Sequence, residues 1–430
     1  MDLLNIEYEK YNLKNGLEVI LFRDSGLPLV ASNIWYKVGS ANEHKGKTGI
    51  AHLFEHMMFQ GSANVPKEMH FKHIQEAGGS LNGSTSFDRT NYYEKVPSNF
   101  LELILWLESD RMGYFIPALT QEKLDNQISV VKNERLERYD NQPYGLAWEL
   151  IISNLYNNGH PYSWPTIGFL QDITSYTIED VTEFFKKYYS PSNACLVIAG
   201  DFDYSKTKDL IEKYFGNLTS DKKVNHLENF SSELKKNISL SHKDNVQLER
   251  IYLTWHSDKA YGEHDAALDV LSDILSGSKS SRLYKNLVFD KEVAQDVTAY
   301  QFSGKLSGFF TIIATAKPGV KLNLLKEEIL RELDKLKSAG ITEKELIKSK
   351  NGIKSSFIYS MQNIDSLADQ INSYNFFLGE PNSFNYDLKR FEEVENEKIK
   401  STIERYLSKP FVELQIVPQS GDEIKEENNL

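Results

Sequence analysis

The run His52-Leu53-Phe54-Glu55-His56 places two imidazoles and a carboxylate at a spacing that carries a chemical expectation. On a helix, side chains four apart lie one above the other, so both histidines reach a single ion. Glu55 falls beside the same face, where a carboxylate can take a proton from water held by the metal. Two nitrogen ligands make half of a catalytic zinc site, which takes three protein ligands and keeps a fourth position open. The third is expected at Glu134, within Val130-Val131-Lys132-Asn133-Glu134-Arg135-Leu136-Glu137, with Glu137 one helical turn on as the alternative. The plainer reading, two polar residues on a helix surface, is weakened because three ionisable groups in an otherwise apolar helix are expensive to bury without a metal or partner.

Helical periodicity predicts that the motif lies on a helix over Thr48–Phe59, ending before Gly61, and that Glu134 lies on a long helix over Gln121–Tyr139. Strands are expected at Gly16–Phe22, at Leu27–Tyr36 and around Cys195, where β-branched, aromatic and apolar residues dominate. Ser175–Asp180 supplies cap-like residues ahead of a helix through Tyr189. A weak repeat lays Gly49–Ser62 on Asp265–Ser278, each preceded by a strand-like run and closed by Gly-Ser. In the second copy Leu268, Leu271 and Ser272 replace His52, Glu55 and His56, so that copy is not expected to hold a metal. The least regular, most polar stretch, 217–237, is read as a linker between a domain at 1–216 with the metal site and one at 238–430 without it; within it Asp221-Lys222-Lys223 reads as a solvated loop.

A chain of 430 residues exceeds what one core usually supports, which favours two domains. With 40% hydrophobic and 26% charged residues the composition is that of an ordinary globular protein. A formal charge of −12 without a sustained basic run argues against nucleic acid as a partner. Cys195 is the single cysteine, so no intramolecular disulfide forms, and a buried strand position is expected for it. No stretch is long and apolar enough to suggest a membrane span, and Met1–Glu7 lacks the pattern of a signal peptide, so a cytoplasmic location is expected, with the periplasm as the alternative if a signal has been removed. His70 and His73 are expected on the surface, and the loop His160-Pro161-Tyr162-Ser163-Trp164-Pro165 is expected to pack.

Taken with Gly78–Ser86, Asn133-Glu134-Arg135 and Tyr189–Ala194 leading into Ile198–Asp201, the motif makes the chain resemble the pitrilysin/insulinase superfamily of inverted zincins, most closely its bacterial two-domain members similar to the mitochondrial processing peptidase β subunit. The resemblance implies an α+β fold of two homologous α/β roll domains, each an antiparallel-rich sheet packed with helices. It also implies a zinc endopeptidase acting on peptides or unfolded polypeptides inside a chamber. By position it makes His52, His56 and Glu134 the ligands and Glu55 the base, and it makes Asn82, Gly83, Ser84 and Thr85 part of an edge strand that pairs with substrate.

Two positions depart from the family pattern. Gln127 stands where relatives carry a glutamate, and Gln295 stands near the tyrosine of an Arg–Tyr substrate pair whose arginine matches Arg282; Tyr300 lies five residues on. A defective pair implies a heterodimer with a related subunit, and a homodimer is the other arrangement. The alternative function is a non-catalytic peptide-binding or scaffold subunit, whose mark would be a missing ligand or base; all four residues are present.

Overall fold

The computed structural model describes residues 5–156, 159–220, 224, 227–228 and 230–419; Met1–Leu4, the Asp221–Lys223 loop and part of the expected 217–237 linker lie outside these. The fold is α+β, with two antiparallel-rich sheets among helices. Two compact units divide it. One takes the described residues of Met1–Arg135, Trp164–Leu227 and Phe357–Asn385, and the other those of Leu136–Ser163, Glu228–Ser356 and Tyr386–Leu430. Each unit therefore borrows a segment from the opposite half of the sequence. The contiguous division at 217–237 stands as a proposal about the duplication.

The first unit holds a six-stranded sheet of β1 (Tyr8–Asn12), β2 (Glu18–Arg23), β3 (Leu29–Tyr36), β4 (Ser80–Thr85), β5 (Thr90–Pro97) and β6 (Ala194–Gly200), in the order β1-β2-β6-β3-β5-β4. Among its described strands only β2 and β6 run parallel. Every residue of β6 is buried, Cys195 among them, which is why the strand reads as an unbroken apolar run. Among the described residues β4 pairs only with β5 and has no strand along its other edge. The Ile178–Tyr188 helix begins as the sequence predicts: Thr177 accepts from the Asp180 amide and Asp180 accepts from the Thr177 amide.

The borrowed helix Ile364–Leu378 packs on β3 and β6. Its Asp369 accepts from Asn33 Nδ2 at 3.1 Å, Trp35 Nε1 at 2.9 Å and Asn91 Nδ2 at 2.9 Å, and Asn372 Nδ2 donates to the Asn33 carbonyl at 2.8 Å. These contacts satisfy polar groups that would be costly to bury unpaired.

Elsewhere in this unit a charged cluster is fully enclosed. Arg111, from the Leu101–Tyr114 helix, donates through Nε to Glu108 at 3.0 Å and through Nη2 to Glu94 at 3.2 Å; its Cζ lies 4.2 Å from the Tyr92 ring centroid. His70 joins it, with Nε2 3.1 Å from Glu94 Oε1. The surface position expected for His70 is thus corrected: it is 3% exposed, because its partners arrive from other elements. Burial pushes its imidazole down to about 3, so it is neutral near pH 7. His73 is half-buried.

The second unit holds β7 (Ile238–Asp244), β8 (Arg250–Ser257), β9 (Ala294–Ser303), β10 (Gly308–Ala316) and β11 (Val412–Pro418), in the order β7-β11-β8-β10-β9 with only β7 and β11 parallel. This matches β2-β6-β3-β5-β4 strand for strand, which supports the repeat. Its Asp265–Ser276 helix occupies the place of the motif helix, and there Leu268 and Leu271 are wholly buried in the apolar core. The borrowed Ala147–Leu155 helix seals the other side with Ala147 and Ile151 against Tyr252, Leu414 and Ile416. His160 stacks on Tyr156 at 4.5 Å, so the aromatic loop packs as expected.

Candidate metal centre

The motif helix spans Ile50–Met57, slightly shorter than the periodicity predicts. Its inner face is pinned by Phe54, whose ring lies 4.2 Å from Tyr189, 5.2 Å from Phe115 and 5.5 Å from Phe184. Apolar packing on one face turns His52, Glu55 and His56 the other way. The helix start is crowded: Gly49 has φ +89, and a Cβ there would meet the Ile167 carbonyl at 2.4 Å. Glu43 caps it by accepting from the amides of Gly49 and Ala51, both at 2.8 Å. Burial pushes this carboxyl up to about 8, and the two amides pull it back. Glu43→Ala should lower stability by about 1–3 kcal/mol, read by denaturant unfolding. An unchanged midpoint would remove Glu43 from any role in holding the helix.

Glu134 comes from the Gln121–Arg135 helix, which continues through a wider turn at Leu136–Asp140 and so fills the span predicted to Tyr139. Arg135 anchors this end by donating to the Gly168 carbonyl at 2.7 Å. Glu134 Oε2 lies 3.3 Å from His56 Nε2 and 3.9 Å from His52 Nε2. One ligand atom from each of the three lies within 4.8 Å of the others, and their side chains are 15–24% exposed, so the site is reachable from solvent. Two imidazoles and one carboxylate match the donor set of a three-ligand catalytic zinc. Glu137 is not in this group. Among the described residues one other cluster has ligand-type groups, His70, Glu94 and Glu108, and there the Arg111 guanidinium already supplies the positive charge.

Glu55 Oε2 accepts from Thr85 Oγ1 at 2.5 Å. Burial pushes the Glu55 carboxyl up, against the Thr85 hydrogen bond, which lowers it. Asn82, Gly83 and Ser84 lie with Thr85 on β4, the edge strand the sequence pointed to. Asn82 Oδ1 accepts from the Gly83 amide at 2.9 Å, Ser84 Oγ donates to Asn91 Oδ1 at 2.7 Å, and Arg89 Nη1 donates to the Ser84 carbonyl at 2.9 Å. Gln127 is buried two turns before Glu134 and bonds Asn126 Oδ1 at 2.9 Å.

Arg282 belongs to the second unit. There its guanidinium pairs with Glu345 at 2.7 and 2.9 Å, with Glu332 at 3.3 Å and with the Gly340 carbonyl at 3.2 Å, and the pairing holds Glu345 down to about 2. Gln295 is exposed on β9, while Tyr300 packs against Trp148 at 5.7 Å. Sequence reasoning missed Glu43, Arg89 and Asp369: Glu43 and Arg89 act on backbone five to eight residues away and Asp369 on strands far along the chain, and none of these separations is a motif spacing.

Residues 18–165 match the family model described as insulinase (peptidase family M16), and residues 175–353 match the model described as peptidase M16 inactive domain. The zinc protease PqqE of Helicobacter pylori is 33% identical over 86% of this chain and 83% of its own. The chain belongs to peptidase family M16. An uncharacterized zinc protease of Bacillus subtilis, YmxG, is 27% identical to this M16 member over 96% of this chain and 99% of its own. The crystal structure of a protease from Helicobacter pylori superposes with a TM-score of 0.90 at 29% identity, covering 96% of this chain and 100% of that one. A structure of a peptidase M16 inactive domain from Pseudomonas fluorescens, at 18% identity and a TM-score of 0.85 over 96% of this chain and 98% of its own, shares the fold. The M16 inactive-domain match falls on the half where Leu268, Leu271 and Ser272 replace the motif. No helix among the described residues is long and apolar enough to cross a membrane.

Proposed function

We propose that this M16 chain is a zinc metalloendopeptidase in which His52, His56 and Glu134 hold the metal and Glu55 is the general base. The observation that carries the reading is the convergence of those three ligand atoms, with the Glu55 carboxyl adjoining them in sequence and bonded to a free-edged strand. Relatives named as zinc proteases support the metal. When bound, zinc supplies Lewis acidity, polarising the scissile carbonyl and acidifying water. Glu55 takes the proton from the attacking water and returns it to the leaving amine, so no covalent intermediate with the chain forms. A peptide lies along β4 at Asn82–Thr85, where backbone groups bind it with little sequence selectivity. Arg282, whose guanidinium pairs with Glu345, is proposed as a further substrate contact.

His56→Ala should bind zinc more than about 100-fold more weakly, since loss of outer-shell support alone typically costs 10–100-fold. Metal content after dialysis against a weak chelator reads this directly, and full retention would remove His56 from the ligand set. Cleavage of a fluorogenic peptide by the zinc-loaded chain, abolished by chelation and restored by zinc, tests the activity. One relative is named as a probable mitochondrial-processing peptidase subunit beta, from Arabidopsis thaliana, at 24% identity over 84% of this chain and 68% of its own. The working form is accordingly proposed as a homodimer or a heterodimer with a related subunit, read by sedimentation alongside activity. Stoichiometric zinc without cleavage, both alone and with a co-purified partner, would sink the peptidase reading.

A further inference from the structure

Successive side chains on a strand alternate between faces, so Gly83 and Thr85 share one face of β4. Glu55 lies over that face, and both positions are matched to it. At Gly83 a Cβ would stand 3.2 Å from Glu55 Cγ and 3.3 Å from Oε1, tighter than ordinary contact. At Thr85 the hydroxyl donates to Oε2 at 2.5 Å. The two carboxylate oxygens are therefore distinguished: Oε2 is tethered, and Oε1 lies toward the residue that has no side chain.

The tether is itself held. Thr85 is β-branched, so its χ1 has little freedom. It pairs across the hairpin with Thr90, whose Oγ1 donates to the Val38 carbonyl at 2.9 Å. One residue earlier, Arg89 Nη1 fixes the Ser84 carbonyl at 2.9 Å, and the Arg89 guanidinium lies 5.0 Å from the Trp35 ring centroid. The hairpin end thus behaves as a rigid bracket against which the Glu55 side chain is set.

We propose that Thr85 is a positioning residue for Glu55, and that the strand offered to a peptide also aims the base through the Thr85 hydroxyl and the absent side chain of Gly83. This rests on the peptidase reading above. A peptide added along β4 would then meet a carboxylate already oriented by the strand that aligns its own backbone. Misplacement of a catalytic group by about 1 Å can lower a rate by about 100-fold, which sets the size of the expected effect.

The test uses the full chain with zinc. Thr85→Val keeps the shape and removes the hydroxyl, and Thr85→Ser restores it. Thr85→Val should lower kcat by about 10- to 100-fold with KM within about twofold and zinc content unchanged, and Thr85→Ser should recover most of the rate. Crystal structures of the parent and the valine variant give a readout independent of turnover: the Glu55 carboxylate should leave its single position in the variant while His52, His56 and Glu134 stay in place. Gly83→Ala, which leaves the hydroxyl intact, should displace Glu55 by contact and also lower kcat; it serves if the valine variant does not fold. An unmoved Glu55 in the variants, a loss confined to KM, or a serine variant as slow as valine would each overturn the proposal. An inactive parent whose Glu55 still moves in the valine variant would count against the peptidase reading and for the positioning role.

Discussion

Zinc-loaded Glu55→Gln is expected to hydrolyse peptides about 100- to 10,000-fold more slowly than the parent, the range associated with a positioned proton-transfer group. The substitution is nearly isosteric and retains an oxygen that can accept from Thr85 Oγ1, so the local packing around the motif helix should survive. The amide cannot take a proton from water, so the loss should fall on kcat with KM little changed. Metal content is the control. His52, His56 and Glu134 remain in the variant, and stoichiometric zinc alongside the lost rate would isolate the base from the ligands. A variant as fast as the parent would remove Glu55 from the mechanism, whatever the state of the metal.

The second large effect concerns stability. Arg111 lies 1% exposed with Glu108 and Glu94 at 0% and 1%, so its removal strands two carboxyl groups in the interior. Burial already pushes the Glu108 carboxyl well above the ordinary range, with Arg111 as the largest opposing influence. Arg111→Leu should destabilise the first unit by about 3–5 kcal/mol, the usual result of breaking a buried pair from one side. Against a total stability of about 5–15 kcal/mol this is a large fraction, and the soluble yield should fall with it. Adding Glu94→Gln and Glu108→Gln to Arg111→Leu removes the stranded charges and should recover part of the loss. Denaturant unfolding followed by circular dichroism measures both. A loss below about 1 kcal/mol for Arg111→Leu would mean that water reaches the cluster and replaces the guanidinium.

The cluster also marks where reading along the chain failed. His70 has no motif around it and looked like a surface histidine, yet Glu94 and Arg111 close over it from a strand and a helix farther on. Glu43 is similar: six and eight residues ahead of the two amides it caps, it fits no capping pattern that depends on spacing within one turn. The borrowed helices are the larger case. Nothing along the sequence of Ile364–Leu378 says that Asp369 and Asn372 will satisfy Asn33, Trp35 and Asn91.

What could be read from the residues was what depends on short range. Helical spacing brings His52 and His56 onto one face with Glu55 beside it, and strand composition marks β2, β3 and β6, because both are set by backbone geometry within a few residues. The repeat was legible for the same reason, since two copies of one strand–helix pattern carry the same periodicities. Tertiary structure supplied the 3.3 Å approach of Glu134, the expected third ligand, to His56, and it alone decided that Thr85 ties down Glu55 and that Arg282 is paired with Glu345. Those pairings join elements whose separation along the chain carries no spatial information. They form because packing each sheet with its own helices leaves only certain side chains facing one another, and buried polar groups must find partners among those.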